Sequence, residues 1–330
     1  AAPRGRGPEA PGLRGQPAGM AGGEAEGSYV CSACGGLLPA ARREAHARWC
    51  PGLQGAQGAG SDSDSEAAMV PRPPSLKMVL SPTHRQQLPV SLSCLPGLAF
   101  SVAQTAADPT DQEEYCTAGQ LWYSELVLGE HLALARPGAG AAGAAVALGC
   151  GLAPVSAFVA FALGWNVLCT DLPEVLPLAR QTAEANARAL EAAHGALAPA
   201  GKPGDLDFLP LPFGEPLLPE TRRWLEARGG ARLVLCSDCI WQAHRHRPLA
   251  ATLAELLTAE GGEALLAFQL RQQSELGFFR VLGHYGLASE RLDNAAAVRR
   301  VHFPEQWHGH QDPCESFLIH RVWRGAPAGG

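Results

Sequence analysis

From Lys77 onward the chain alternates short apolar runs with longer stretches of helical periodicity, a texture absent from the residues before it. Residues 79–80, 88–95 and 98–103 read as short strands, with Pro96-Gly97 turning the last two into a hairpin. Residues 121–135 have helical spacing, with Leu121, Trp122, Leu126, Leu128 and Leu132 on one apolar face. Beyond Pro137-Gly138 strand and helix alternate. A strand over 144–148 leads through a glycine turn to a helix over 155–163, and a strand over 165–170 leads to a helix over 173–192. Asp171 stands where an N-cap is wanted for that helix and Pro173 near its first turn. Strands over 206–211, 231–236 and 263–270 follow, with helices over 248–257 and 273–285, and two late extended segments over 290–292 and 315–324.

Alternation of this kind predicts an α/β fold, a mostly parallel, doubly wound sheet with helices on both faces. The late segments close without a long helix between them, so an antiparallel edge is expected. No internal repeat is present. The most apolar stretch, 141–163, is rich in Gly and Ala and broken by Pro154, and it reads as strand, turn and helix rather than a membrane span. The start shows no basic region followed by an apolar one.

The first quarter is built differently. Residues 1–27 are Gly, Ala, Pro and Arg with few bulky apolar groups, the composition of a disordered tail. Residues 28–53 hold a cysteine cluster, and residues 54–77 form a linker with the acidic run Ser61-Asp62-Ser63-Asp64-Ser65-Glu66 and three prolines. The serines of that run are either kinase sites or plain solvated spacer. The main domain is expected over 78–325, with 326–330 as a short tail. The formal net charge of −6 argues against nucleic acid or an anionic membrane as partner. Of ten cysteines, seven are scattered and read as buried reduced thiols, which fits a cytoplasmic or nuclear setting.

The other three sit with a histidine. Cys31-x2-Cys34 supplies two thiolates from a tight knuckle, and His46-x3-Cys50 places two more ligands on one face of a helix-forming stretch. Four such donors suit tetrahedral Zn²⁺, and so short a unit would take most of its folding free energy from the metal. The spacing resembles small C2HC fingers, including ubiquitin-binding ones, with Gly35 and Arg42 also matching. The resemblance implies a module that binds a protein or ubiquitin rather than a catalytic site.

A second site lies at Gly149-Cys150-Gly151, where an apolar strand gives way to a helix. Glycine there lets a ligand approach the backbone where a Cβ would block it. Asp171 ends the next strand, placed to accept hydrogen bonds from both hydroxyls of a ribose. A dinucleotide would want a third glycine for its pyrophosphate, and Pro154 stands there. S-adenosylmethionine has no phosphate to cradle and is the favoured cofactor.

Over residues 88–323 the chain resembles the seven-β-strand methyltransferases of family 16, the methyltransferase-like-21 group of protein-lysine methyltransferases. The matching segments run in order. Thr117-Ala118-Gly119-Gln120-Leu121-Trp122 enters a helix, then come the glycine turn and Thr170-Asp171-Leu172-Pro173-Glu174 leading to Asn186. Phe213-Gly214 stands in place of Trp-Gly, and Ser237-Asp238-Cys239-Ile240-Trp241 in place of an Asp-x-x-Tyr segment. The resemblance implies a Rossmann-like seven-stranded methyltransferase sheet. It implies that Gly149, Cys150 and Gly151 lie against the methionine part of the cofactor, that Asp171 holds the ribose and Leu172 flanks the adenine. Trp122 and Phe213 would wall the cofactor, although either could be plain core. Ser237 and Asp238 would sit where donor and acceptor meet, and Trp241 would shape the acceptor channel, making Asp238 and Trp241 the catalytic candidates.

The chain departs from the family at Ala147, Ala153, Pro212 and Trp241. Ala147 removes an acid that would face the cofactor's ammonium or a loop amide. Two functions therefore compete: a lysine methyltransferase whose finger recruits a partner, and a degenerate methyltransferase fold serving as a scaffold. Methylation of small molecules or nucleic acids is disfavoured. His244, Arg245, His246 and Arg247 read as a solvated loop, with contact to an acidic substrate as the alternative.

Overall fold

The computed structural model describes residues 28–30, 37–39, 85–105, 118–135, 143–199, 201–257, 261–271, 273–303 and 312–325. Two short strands, β1 (Ser28–Val30) and β2 (Leu37–Pro39), pair antiparallel with Val30 opposite Leu37, so the Cys31–Cys34 pair falls between them in sequence. The ligands Cys31, Cys34, His46 and Cys50, the linker, and the strand expected over 79–80 lie outside the described residues.

A separate hairpin, β3 (Arg85–Ser91) and β4 (Ala99–Thr105), pairs antiparallel around the turn at Pro96-Gly97. The first strand is shorter than its apolar run, because Leu92 and Leu95 bury themselves in the connecting turn instead of extending the ladder. The helix α1 (Tyr123–Ala135) follows. The alternation then proceeds as the pattern predicts through β5 (Ala144–Leu148), α2 (Val155–Ala162) and β6 (Asn166–Asp171).

The single helix expected over 173–192 is two, α3 (Leu176–Ala185) and α4 (Ala187–Leu197), separated at Asn186. The Asn186 side chain explains the break. Its amide donates to Thr182 O and Ser101 O, and its carbonyl accepts from Ser101 N, so it staples β4 to the helical layer. Asp171 caps no helix, since α3 starts later and the carboxylate serves another turn. Next come β7 (Leu206–Pro210), α5 (Pro219–Glu226), which the apolar pattern did not announce, and β8 (Ala231–Ser237). They are followed by α6 (His246–Leu256), β9 (Glu263–Gln269) and α7 (Gly277–His284), the last preceded by a 3-10 turn over Gln273–Leu276. The chain closes with β10 (Leu287–Leu292), the short helices α8 (Ala295–Val298) and α9 (Pro313–Ser316), and β11 (Phe317–Arg324).

The main sheet has seven strands in the order β10-β11-β9-β8-β5-β6-β7. Pairings among β5 to β9 are parallel, while β11 runs antiparallel to β9 and to β10, which is the expected antiparallel edge. Central strands are apolar on both faces, as a sheet covered by helices on both sides requires. On β5, Ala145 and Ala147 point into a core shared with α1, α2 and the hairpin. Ala144, Val146 and Leu148 face a second core with α6 and α7. Phe100 of the hairpin meets Phe158 of α2 with ring centres 5.3 Å apart, both fully buried, so the hairpin is part of the domain's core.

Candidate functional site

Four consecutive parallel pairings bring the carboxyl ends of β5 to β9 to one edge of the sheet. The strand order reverses between β5 and β8, leaving a crevice there. A cleft of about 1110 Å³, counted out to its open mouth, occupies that position. It is lined by Gly149, Cys150 and Gly151 after β5, Asp171 and Leu172 at the end of β6, Leu211 to Phe213 after β7, and Ser237 to Cys239 after β8.

The glycine turn is shaped by steric necessity. Gly149 and Gly151 have φ of +60° and +56°. A Cβ on Gly149 would stand 3.0 Å from Cys239 Sγ and 3.1 Å from Phe213 Cζ, and one on Gly151 would stand 3.0 Å from Ala118 O. Both glycines are thus required by backbone conformation and by lack of space. Cys150 N donates to Thr170 O at 3.0 Å, and Leu152 N donates to Ala118 O at 2.9 Å, which lays the segment before α1 onto the turn.

Asp171 Oδ2 accepts from Gly151 N at 2.8 Å and Oδ1 from Leu172 N at 2.7 Å. Burial pushes its pKa up to about 6, against the pull of those two amides and of the Arg245 guanidinium. The carboxylate is held rigidly beside the turn with acceptor capacity left over. Two glycines that tolerate no side chain, next to an oriented acid, suit the amino-acid and ribose parts of S-adenosylmethionine.

Asp238 is the only described non-glycine residue with positive φ, at 51°. Its amide donates to Ala267 O at 2.8 Å, and its carboxylate receives Ser124 Oγ, Gln269 N and Arg271 Nη1. The Arg271–Asp238 ion pair measures 2.8 Å, with side chains only 7% and 5% exposed. Arg271 also takes Glu275 as a second acid, and its guanidinium lies 5.3 Å from the centre of the Trp122 ring. The Asp238 carboxylate thus joins α1, β9 and the loop after it, as a buried acid in an apolar strand requires.

All ten residues anticipated for the cofactor and acceptor line this one cleft: Trp122, the glycine turn, Asp171, Leu172 and Phe213 with Ser237, Asp238 and Trp241. Trp122 is half-buried with a face on the cleft, and Phe213 rests against Gly149. The loop after Trp241 is only partly solvated. His244 and Arg247 are exposed, whereas Arg245 lines the cleft and His246 is buried with Nε2 2.8 Å from Ile240 O. Burial holds the His246 pKa below its usual value, so it is a neutral packing residue.

Sequence reading gave no role to several other lining residues, among them the polar Gln120, Glu125, Gln242 and Arg271, and left Arg245 between a solvated loop and a substrate contact. Gln120 and Glu125 sit at the entry and in the first turn of a helix that reads as ordinary amphipathic sequence. Their one signal was an uncharged amide and an acid flanking Trp122.

A family model described as lysine methyltransferase matches residues 110–284, more than half of the chain and all of this cleft. The chain belongs to that family. Its seven-stranded α/β sheet is the fold the resemblance led one to expect. A model described as a C2HC zinc finger matches residues 22–51, which span Cys31, Cys34, His46 and Cys50. Among curated proteins none matches. Solved structures similar to this methyltransferase include the CcbJ methyltransferase from Streptomyces caelestis, with 16% identity and a TM-score of 0.40 over 60% of this chain and 90% of that one. Another is the magnesium protoporphyrin IX methyltransferase ChlM from Synechocystis PCC 6803 with bound SAM, at 14% identity and 0.38, over 66% and 87%. A SAM-dependent methyltransferase from Agrobacterium tumefaciens is similar at 16% identity and 0.43, over 73% and 70%.

Proposed function

We propose that this chain is a protein-lysine N-methyltransferase that uses S-adenosylmethionine, and that its zinc finger recognises a protein partner. The observation that carries the reading is the Asp171 carboxylate, fixed by Gly151 N and Leu172 N at the carboxyl end of β6. When bound, S-adenosylmethionine supplies an electrophilic methyl group on a sulfonium. Gly149 and Gly151, with positive φ, would hold the backbone of the turn against its amino-acid part, Asp171 would accept from the ribose, and Leu172 and Phe213 would flank the ring system.

A lysine acceptor has a pKa of about 10.4 in water and must be neutral to react. Trp122 and Trp241 supply apolar walls that desolvate the ammonium and lower that value. Asp238 is already neutralised by Arg271, so it acts by holding Ser124, Arg271 and, through Arg271, the Trp122 ring. Trp241 and Ser237 are left to shape the acceptor end. In the finger, Cys31, Cys34, His46 and Cys50 would hold Zn²⁺, and residues 54–77 would tether it to the enzyme.

Transfer of a radiolabelled methyl group into proteins of a cell extract, followed by mass spectrometry of the labelled residue, tests this. Labelled lysine with wild type and none with Asp171→Ala is the expected result, and equal labelling by both defeats it. One observation favours a scaffold instead: Ala147 puts a methyl group on β5 where the family carries an acid. Calorimetry with S-adenosylmethionine separates the two, since a scaffold would show no binding at millimolar cofactor.

A further inference from the structure

Three acids line the cleft: Glu125, Asp171 and Asp238. Asp238 has Arg271 as its cation, and Asp171 feels the charge of Arg245. Among the described residues Glu125 has no Lys, Arg or His in ion-pair contact. Its Oε1 accepts from both Ser156 N and Ser156 Oγ at 2.7 Å, so the carboxylate is fixed in place from α1 onto the first turn of α2. A carboxylate retains acceptor sites after two such bonds on one oxygen. Burial raises its pKa to about 6, so the site is an anionic one that lacks a counter-charge near neutrality.

Five residues earlier, Gln120 is 4% exposed and lines the same cleft, and neither its Nε2 nor its Oε1 has a hydrogen-bond partner among the described residues. A buried amide with both ends unsatisfied carries an uncompensated desolvation penalty, and a ligand with a donor and an acceptor would remove it. The backbone explains why the two residues can reach the glycine turn. The Leu152 N to Ala118 O bond lays residues 118–122 across that turn, beside Gly151. On the strand below, Ala147 presents only a methyl group to the layer formed by α1 and α2.

We infer that Gln120 and Glu125 form the receptor for the zwitterionic amino-acid tail of the methyl donor, Glu125 pairing with its α-ammonium and Gln120 bonding its carboxylate. The inference rests on the cofactor reading above. It moves the tail's counter-charge from the strand that ends at Leu148 to the entry of α1, and it turns Ala147 from a loss into an exchange. The alternative is that Glu125 only caps α2 through Ser156, which a glutamine would do equally well.

Calorimetry on the full chain decides between them, with three probes: S-adenosylhomocysteine, its counterpart lacking the α-amino group, and 5′-methylthioadenosine, which has no tail. Wild type should prefer S-adenosylhomocysteine over the deaminated compound by tenfold or more. Glu125→Gln should reduce that preference to under threefold while binding the deaminated compound as wild type does. Gln120→Leu should weaken S-adenosylhomocysteine at least fivefold and leave 5′-methylthioadenosine unchanged. A tenfold preference surviving in Glu125→Gln, or a uniform loss across all three probes in either variant, overturns the assignment. Wild type binding none of the probes would instead sink the cofactor reading itself, so the two failures are distinguishable.

Discussion

Removing the arginine of the buried ion pair should destabilise the whole domain, and its geometry sets by how much. Arg271→Met keeps the length and apolar stem of the side chain but leaves Asp238 ionised and buried without its cation. Breaking one half of a buried pair costs about 3–5 kcal/mol. Two donors to the carboxylate survive, Ser124 Oγ and Gln269 N, which places the loss near the low end, about 3 kcal/mol. For a domain of this size each kcal/mol moves Tm by roughly 2–4 °C, giving a fall of roughly 6–12 °C by differential scanning fluorimetry. The pair is shielded from solvent, so the difference should persist in about 1 M salt, where the screening length is only about 3 Å. Asp238→Asn in the Arg271→Met background removes the stranded charge and should recover part of the loss. A Tm change under about 2 °C, or one erased by salt, would show that the pair is solvated and that the cleft is not organised around it.

Other outcomes follow from the same geometry. Asp171→Asn should weaken 5′-methylthioadenosine binding at least tenfold in calorimetry, whereas Trp241→Ala should spare that affinity and lower methyl transfer. Asp171 and Glu125 have folded pKa values of about 6, above their unfolded 3.8 and 4.5, so the folded state binds more protons between pH 4 and 6. Their contribution to stability therefore falls as pH rises through 6, and Glu125→Gln should be more stable than wild type at pH 7.5 yet equal to it near pH 4. His320 shows the opposite sign: burial lowers its pKa to about 4, so its contribution is present above 6.5 and lost as pH falls toward 4. His320→Phe, which keeps the stack on Phe279, should blunt acid unfolding followed by circular dichroism. Phe100→Ala should cost about 3–5 kcal/mol in urea unfolding, because it strips the hairpin's ring from Phe158.

Local chemistry made the sheet and half of the site readable in the amino-acid order. Strand and helix differ in apolar period, and the glycine turn and Asp171 are each confined to a few residues at a strand end. Their twenty-residue spacing is one crossover long, so sequence alone places them together. Tertiary structure decided the rest, because it depends on which polar groups meet across distance. Ser124 and Asp238 are 114 positions apart, and Arg271 reaches back 33 positions to Asp238, so no pattern within a window links them. The helix α1 was misjudged for the same reason: an amphipathic reading puts its polar residues outside, yet Ser124 and Glu130 are fully buried and Glu125 faces the cleft. Each has a partner from another element: Asp238 for Ser124, Cys94 N for Glu130 and Ser156 for Glu125. Burial of a polar group is decided by its partners, and only the folded chain supplies them.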